Sequence, residues 1–143
     1  PGILDFSQPF AAFEQRQLAE LSVTALPLNH SKPTFGYLLE GLTASGEQRR
    51  IAYLTDTLGV PDASAEVLRE QPLDLLVLDC STAPQPIAPR NHNDLTRALE
   101  VVEQLQPRET VLTHIGHSFD AWLLEHPDAL PAGVSLAFDG RVL

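Results

Sequence analysis

The sequence predicts an α/β (α+β) domain of 143 residues, and three observations carry that prediction. Leu73-Asp74-Leu75-Leu76-Val77-Leu78 and Thr110-Val111-Leu112 are nearly continuous apolar runs, the pattern of strands covered on both faces. Several other short runs alternate as half-buried strands do. Two stretches of helical periodicity lie among them.

In chain order, Leu21-Ser22-Val23-Thr24-Ala25 alternates, and its run continues through Leu26 and Leu28 to Asn29. Phe35 to Glu40 and Ile51 to Leu54 follow as strands. Asp62 to Gln71 reads as a helix with an acidic cap, with Ala65 and Leu68 on one side and Pro72 ending it. After the Leu73 to Leu78 strand, Ala83 to Pro89 is a proline-rich loop. Asn93 or Asp94 caps a second helix, in which Leu95, Leu99, Val102 and Leu105 recur at helical spacing until Pro107. A short third helix is expected over Phe119 to Glu125, stopped before Pro127, and a last strand over Val134 to Phe138, followed by an Asp139-Gly140 turn.

Nine basic residues against nineteen acidic ones, with no basic run, argue against a general nucleic-acid surface. No apolar stretch approaches the ~20 residues that a membrane helix needs. The single cysteine, Cys80, cannot form an internal disulfide, which fits a reducing compartment and a cytoplasmic protein. Its default role after a strand is that of a small core residue. The opening Pro1-Gly2-Ile3-Leu4 has neither an initiator methionine nor a signal-peptide pattern and reads as the interior of a longer sequence.

The chemistry lies in short polar motifs at strand ends: Asn29-His30-Ser31, Thr55-Asp56-Thr57, Asn91-His92-Asn93-Asp94 and Thr113-His114-Ile115-Gly116-His117. Imidazole and carboxylate groups there are what a divalent metal site is built from, because loops at the carboxyl ends of strands converge on one edge of such a sheet. Each motif alone has a plainer reading, since a loop His can simply hydrogen-bond its neighbours and a loop Asp can cap a turn. The set favours metal. The only lysine, Lys32, and Arg90 flank two of these motifs, a placement that serves a small anionic ligand and is equally that of two exposed loop cations. No Gly-x-Ser-x-Gly elbow and no Walker or dinucleotide loop is present, so serine hydrolysis and nucleotide binding are poor rivals. His126, just before Pro127, reads as a solvated loop residue, and Phe119 and Trp122 as core.

Leu26-Pro27-Leu28-Asn29-His30-Ser31-Lys32, with Thr34-Phe35-Gly36-Tyr37-Leu38-Leu39-Glu40 after it, resembles the metallo-β-lactamase-fold hydrolases, most closely the PhnP-type cyclic phosphodiesterases. Tyr53-Leu54-Thr55-Asp56-Thr57, Asp79-Cys80-Ser81, Pro89-Arg90-Asn91-His92-Asn93-Asp94-Leu95, Leu112-Thr113-His114-Ile115-Gly116-His117-Ser118-Phe119-Asp120-Ala121-Trp122-Leu123 and Phe138-Asp139-Gly140 continue the likeness in the same order. The resemblance implies that His30 binds one catalytic metal, Asp56 bridges two, and His114 binds the second, the pair being manganese or zinc. It implies a catalytic role for His92 near the phosphate. It assigns His117 to a separate structural zinc whose other ligands are cysteines, and Lys32 and Arg90 become candidates for substrate binding.

The likeness is to the carboxyl-terminal half of the family. The family's His-x-His-x-Asp-His cluster is absent from this sequence, as are the cysteines that would join His117. The resemblance therefore implies half of a four-layer αββα sandwich: one mixed sheet with helices on one face, its other face bare. Such a half is expected to form a homodimer or to associate with an amino-terminal half, and to show little metal binding or activity alone. The implied reaction is metal-dependent hydrolysis of a small cyclic phosphate ester of the phosphoribosyl type, in phosphonate catabolism. A transfer-RNA 3′-processing nuclease and a non-catalytic dimerisation or binding module are the alternatives, the first disfavoured by the acidic charge.

Overall fold

A computed structural model describes residues 9–87 and 89–142; the Pro1 to Leu4 opening and Ala88 of the proline-rich loop lie outside the described residues. Seven strands form one sheet in the order β1 to β7: β1 (Gln15–Leu18), β2 (Leu21–Leu28), β3 (Thr34–Leu42), β4 (Gln48–Leu54), β5 (Leu75–Asp79), β6 (Glu109–Thr113) and β7 (Val134–Leu136). The first four pair antiparallel and the last four parallel, so the sheet is mixed. The parallel strands are joined by α1 (Asp62–Arg69), α2 (Leu95–Leu105) and α3 (His117–Glu125). Strand order never reverses along β4 to β7, and right-handed crossovers then put every helix on the same face.

That face holds the main core. Leu26, Leu28, Leu38, Ala52, Leu54, Leu76, Leu78 and Leu112 of the sheet pack with Ala65 and Leu68 of α1, Ala98, Val101 and Leu105 of α2, and Phe119 of α3. Cys80 is fully buried in this core, the position expected of it. The opposite face is only partly bare. Leu75, Val77 and Val111 are buried there with Ile51 and Ala137 against them, while Leu21 and Tyr53 are exposed. Leu21, Leu39, Ile51 and Leu75 line an open groove on it.

Several elements differ from the sequence expectation in instructive ways. β1 is a short, mostly exposed strand at the sheet edge, and its polar Gln15-Arg16-Gln17-Leu18 carries no alternation to reveal it. The N-cap of α1 is Pro61, with Asp62 in the first turn and no side-chain cap. What secures α1 is its other end. The guanidinium of Arg50, 4% exposed, donates to the carbonyls of Val67, Leu68 and Gln71 and pairs with Glu40 at 2.9 Å. The last carbonyls of a helix have no partner within it, so this buried cation supplies one. In α2, Asp94 is the cap, accepting from the Arg97 N–H at 2.9 Å, and left-handed Gln106 ends the helix before Pro107. The third helix begins at His117, two residues before its predicted start, because the Gly116 carbonyl accepts from Phe119 and Asp120.

Among the described residues no helix is long and apolar enough to cross a membrane.

Candidate metal centre

β3 runs antiparallel to both β2 and β4, so β2, β4, β5 and β6 all point the same way and their carboxyl ends share one sheet edge. That edge collects the polar motifs. His30 follows the end of β2, Asp56 follows β4, Asp79 is the last residue of β5, His92 lies in the loop before α2, and His114 follows β6 directly. Two of them leave their strands with left-handed backbone, Asp56 at φ 56° and His114 at φ 64°. Neither residue is glycine, so each turn stores strain that the surrounding loops must hold.

The side chains meet. The rings of His30 and His92 are 5.2 Å apart between centroids, and those of His92 and His114 are 4.6 Å apart. His114 Nε2 lies 3.9 Å from Asp56 Oδ1. Donor atoms of Asp56, Asp79, His92 and His114 all fall within 4.8 Å of one another, a group able to hold a metal ion. His30 stands beside this group, and its Nδ1 is buried without a hydrogen-bond partner among the described residues.

Asp79 organises the cluster from below. Its side chain is fully buried, and Oδ2 lies 2.7 Å from His92 Nδ1 and 3.5 Å from His114 Nδ1. The same oxygen accepts from the Thr57 N–H at 3.2 Å, and Oδ1 accepts from Ser81 Oγ at 3.3 Å. A carboxylate only accepts, so His92 carries its proton on Nδ1 and keeps Nε2 free. With three such contacts already made, Asp79 is suited to orienting the histidines rather than to ligation, although its oxygens lie within range. In the sequence Asp79 figures only within the Asp79-Cys80-Ser81 likeness, with no role of its own; the signal that marks it is its place at the end of an apolar run, as with Asp56 and His114.

The backbone after β5 ties the loops together. The Cys80 N–H donates to the Thr113 carbonyl at 2.9 Å, the Ser81 N–H to Asn93 at 2.8 Å, and the Gly116 N–H to Ser81 at 3.1 Å. Asn93 bonds the Asp79 carbonyl through Nδ2 and accepts from the Gly59 N–H at 2.7 Å, while the Leu58 N–H reaches Asn29 at 2.8 Å. All the loops that carry the donors are therefore cross-linked.

The sequence profile of the beta-lactamase superfamily domain matches residues 5–115, which includes every member of this cluster. The chain belongs to the metallo-β-lactamase superfamily. Among solved structures it is similar to a diphosphatase from the PhnP family, at 32% identity and a TM-score of 0.71, covering 92% of this chain and 46% of that one. It is similar in fold to the metallo-β-lactamase fold protein YhfI from Bacillus subtilis, at 18% identity, TM-score 0.69, covering 92% of this chain and 53% of that one. The short form of human tRNase Z gives 22% identity and a TM-score of 0.64, over 90% of this chain and 44% of that one. The chain thus spans about half the length of these superfamily structures. No curated protein matches it.

A superfamily metal fits the donor set. Neutral imidazoles and a carboxylate suit divalent ions, and a buried ring nitrogen with no partner costs free energy that a bound ion would recover. Asp56 and His114 are brought together, and His30 adjoins them through the ring of His92, which lies 5.2 Å from that of His30 and 4.6 Å from that of His114. Two neighbouring histidines go separate ways: His114 enters the cluster, whereas His117 is exposed in the first turn of α3. Among the described residues His117 joins no group of three or more potential ligands. Lys32 and Arg90 are exposed in the loops bearing His30 and His92. His126 is exposed but not merely solvated: it stacks on Trp122 at 4.0 Å and bonds that residue's carbonyl through Nδ1 at 2.8 Å.

Proposed function

We propose that this chain contributes to a two-metal phosphodiesterase that opens a small cyclic phosphate ester, with a ribose phosphate as the core of its substrate. The observation that carries the proposal is the convergence of His30, Asp56, His92 and His114 on one sheet edge. Two divalent ions, manganese or zinc, when bound, would neutralise charge on the phosphate oxygens and lower the pKa of a water molecule. Asp56 has two oxygens to offer to two cations, and His30 and His114 have one nitrogen each. His92, held by Asp79 through Nδ1, keeps Nε2 free to carry the proton that a leaving alkoxide needs. Lys32 and Arg90, beside the two histidine loops, would draw in the anionic substrate, and His117 would serve a structural zinc.

A second reading, hydrolysis of a diphosphate bond, is favoured by the similarity to a PhnP-family diphosphatase. The two are separated by assaying the natural full-length protein, with manganese or zinc added, against a ribose cyclic phosphate and an organic diphosphate. The first reading expects the cyclic ester to be the better substrate by at least about tenfold in kcat/KM. It expects His92→Ala to cost about 10²–10⁴ in rate with metal content unchanged. A preference for the diphosphate selects the second reading, and hydrolysis of neither overturns both.

A further inference from the structure

Ser81 stands between the buried carboxylate and one of the proposed ligands. Its Oγ is 3.3 Å from Asp79 Oδ1 and 3.0 Å from His114 Nδ1. A hydroxyl has one proton to give. Towards Asp79 it can only donate, because a carboxylate has none. Towards His114 it must then accept, and the proton in that contact belongs to the imidazole Nδ1. We propose that Ser81 is a positioning residue for His114, linking it to Asp79 and locking it as the Nδ1–H tautomer with a bare Nε2, the nitrogen 3.9 Å from Asp56.

The placement of the hydroxyl is not left to its own rotamer. The Ser81 N–H is held by the Asn93 carbonyl at 2.8 Å, and its carbonyl is held by the Gly116 N–H at 3.1 Å. A Cβ at Gly116 would come within 2.6 Å of that carbonyl oxygen, so the approach of the His114 loop to Ser81 depends on glycine. The serine is therefore fixed from the His92 side and the His114 side at once. One buried carboxylate then sets two imidazoles: His92 directly, and His114 chiefly through the hydroxyl, which is hydrogen-bonded to both groups while Asp79 and His114 themselves stand 3.5 Å apart without such a bond. A ligating histidine needs its other ring nitrogen satisfied in this way, because the tautomer decides which lone pair faces the ion.

The inference rests on the proposed function for its purpose but not for its test. Long-range ¹H–¹⁵N correlation spectra of the metal-free protein, at a pH about two units above the ordinary imidazole pKa of ~6.5, report the tautomer of each histidine. His114 is expected as Nδ1–H. Ser81→Ala is expected to shift the His114 tautomer ratio about fivefold or more towards Nε2–H, the equivalent of one net hydrogen bond, and to leave His92 as Nδ1–H. Zinc affinity in the same variant should fall about 10- to 100-fold, with Ser81→Thr, which keeps the hydroxyl, restoring both readouts. A wild-type His114 found as Nε2–H, with the serine donating to it instead, overturns the proposal. So does a ratio unmoved by Ser81→Ala in a folded variant. A protein that shows the tautomer lock and yet hydrolyses neither phosphate substrate upholds the role of Ser81 and overturns only the proposed function.

Discussion

Asp79 Oδ2 lies 2.7 Å from His92 Nδ1, and the carboxylate is fully buried whereas the imidazole is 31% exposed. The buried partner sets the exposed one. Asp79→Asn keeps the shape, and its amide oxygen can still accept from His92 and the Thr57 N–H, but its amide nitrogen must then donate to Ser81, which turns the Ser81 proton towards His114 and reverses that contact. Metal affinity is expected to fall about 10- to 100-fold and stability by about 1–3 kcal/mol. Zinc titration against a chelating dye and urea unfolding measure the two, and unchanged affinity would remove Asp79 from the site.

The strand-end donors are legible in the sequence because a polar residue just past an apolar run has one place to go in an α/β sheet, its carboxyl edge. Asp56 and His114 are found that way, and the helices are found from their apolar stripes. Asp79 is harder to read because its role depends on register: pairing Asp79 with Thr113 puts it beside His114, and the loop before α2 brings His92 onto it. Ser81 and Gly116 are harder still, since their contacts join segments 35 residues apart in a way that neither periodicity nor motif spacing encodes. The role of Arg50 is hidden for the same reason: a charged residue in an alternating strand reads as exposed until α1 lays its terminal carbonyls over it.

Gly116 is the tightest of these joints. Its φ of −75° suits any residue, so substitution acts through space alone. Gly116→Ala drives a methyl group to 2.6 Å from the Ser81 carbonyl oxygen, and backbone on both sides must move. A loss of about 1–3 kcal/mol is expected in urea unfolding.

His114 at φ 64° is strained whatever its side chain does. A left-handed non-glycine residue costs about 1–2 kcal/mol, which glycine avoids at the expense of a freer unfolded chain. His114→Gly should therefore be more stable than His114→Ala by about 1 kcal/mol, with zinc affinity reduced in both. Chemical denaturation of the pair reads the difference, and a less stable glycine variant would mean the left-handed turn carries no strain.

Asp74 has a different pH signature. Burial pushes its carboxyl up, but the Arg50 N–H, the Arg49 guanidinium and the charge of Arg108 outweigh that and hold it below the ordinary value. The contacts are at 2.9 Å, 3.1 Å and 2.8 Å respectively. A depressed folded pKa contributes stability above the unfolded value of ~3.9, and that contribution is lost as pH falls through the folded value. Asp74→Asn should be less stable than wild type at neutral pH by about 1 kcal/mol. The gap should narrow as melts are repeated below about pH 4. A gap independent of pH would rule out the carboxylate as its source.

Cys80 separates proximity from participation. It sits next to Asp79 in sequence, yet burial, with the charges of Asp79 and Asp94, pushes its thiol up to about 12. At pH ~8 the thiolate fraction is then lower by about three orders of magnitude than for an ordinary thiol, and the thiolate is the form that reacts and ligates. Alkylation by iodoacetamide should accordingly be at least about 10³-fold slower in the native protein than in urea. Cys80→Ser places a hydroxyl in the leucine core and should cost about 1–3 kcal/mol while leaving zinc affinity intact. Loss of zinc affinity without loss of stability would instead make the thiol a ligand, and the buried position of its side chain would have to open for it to act.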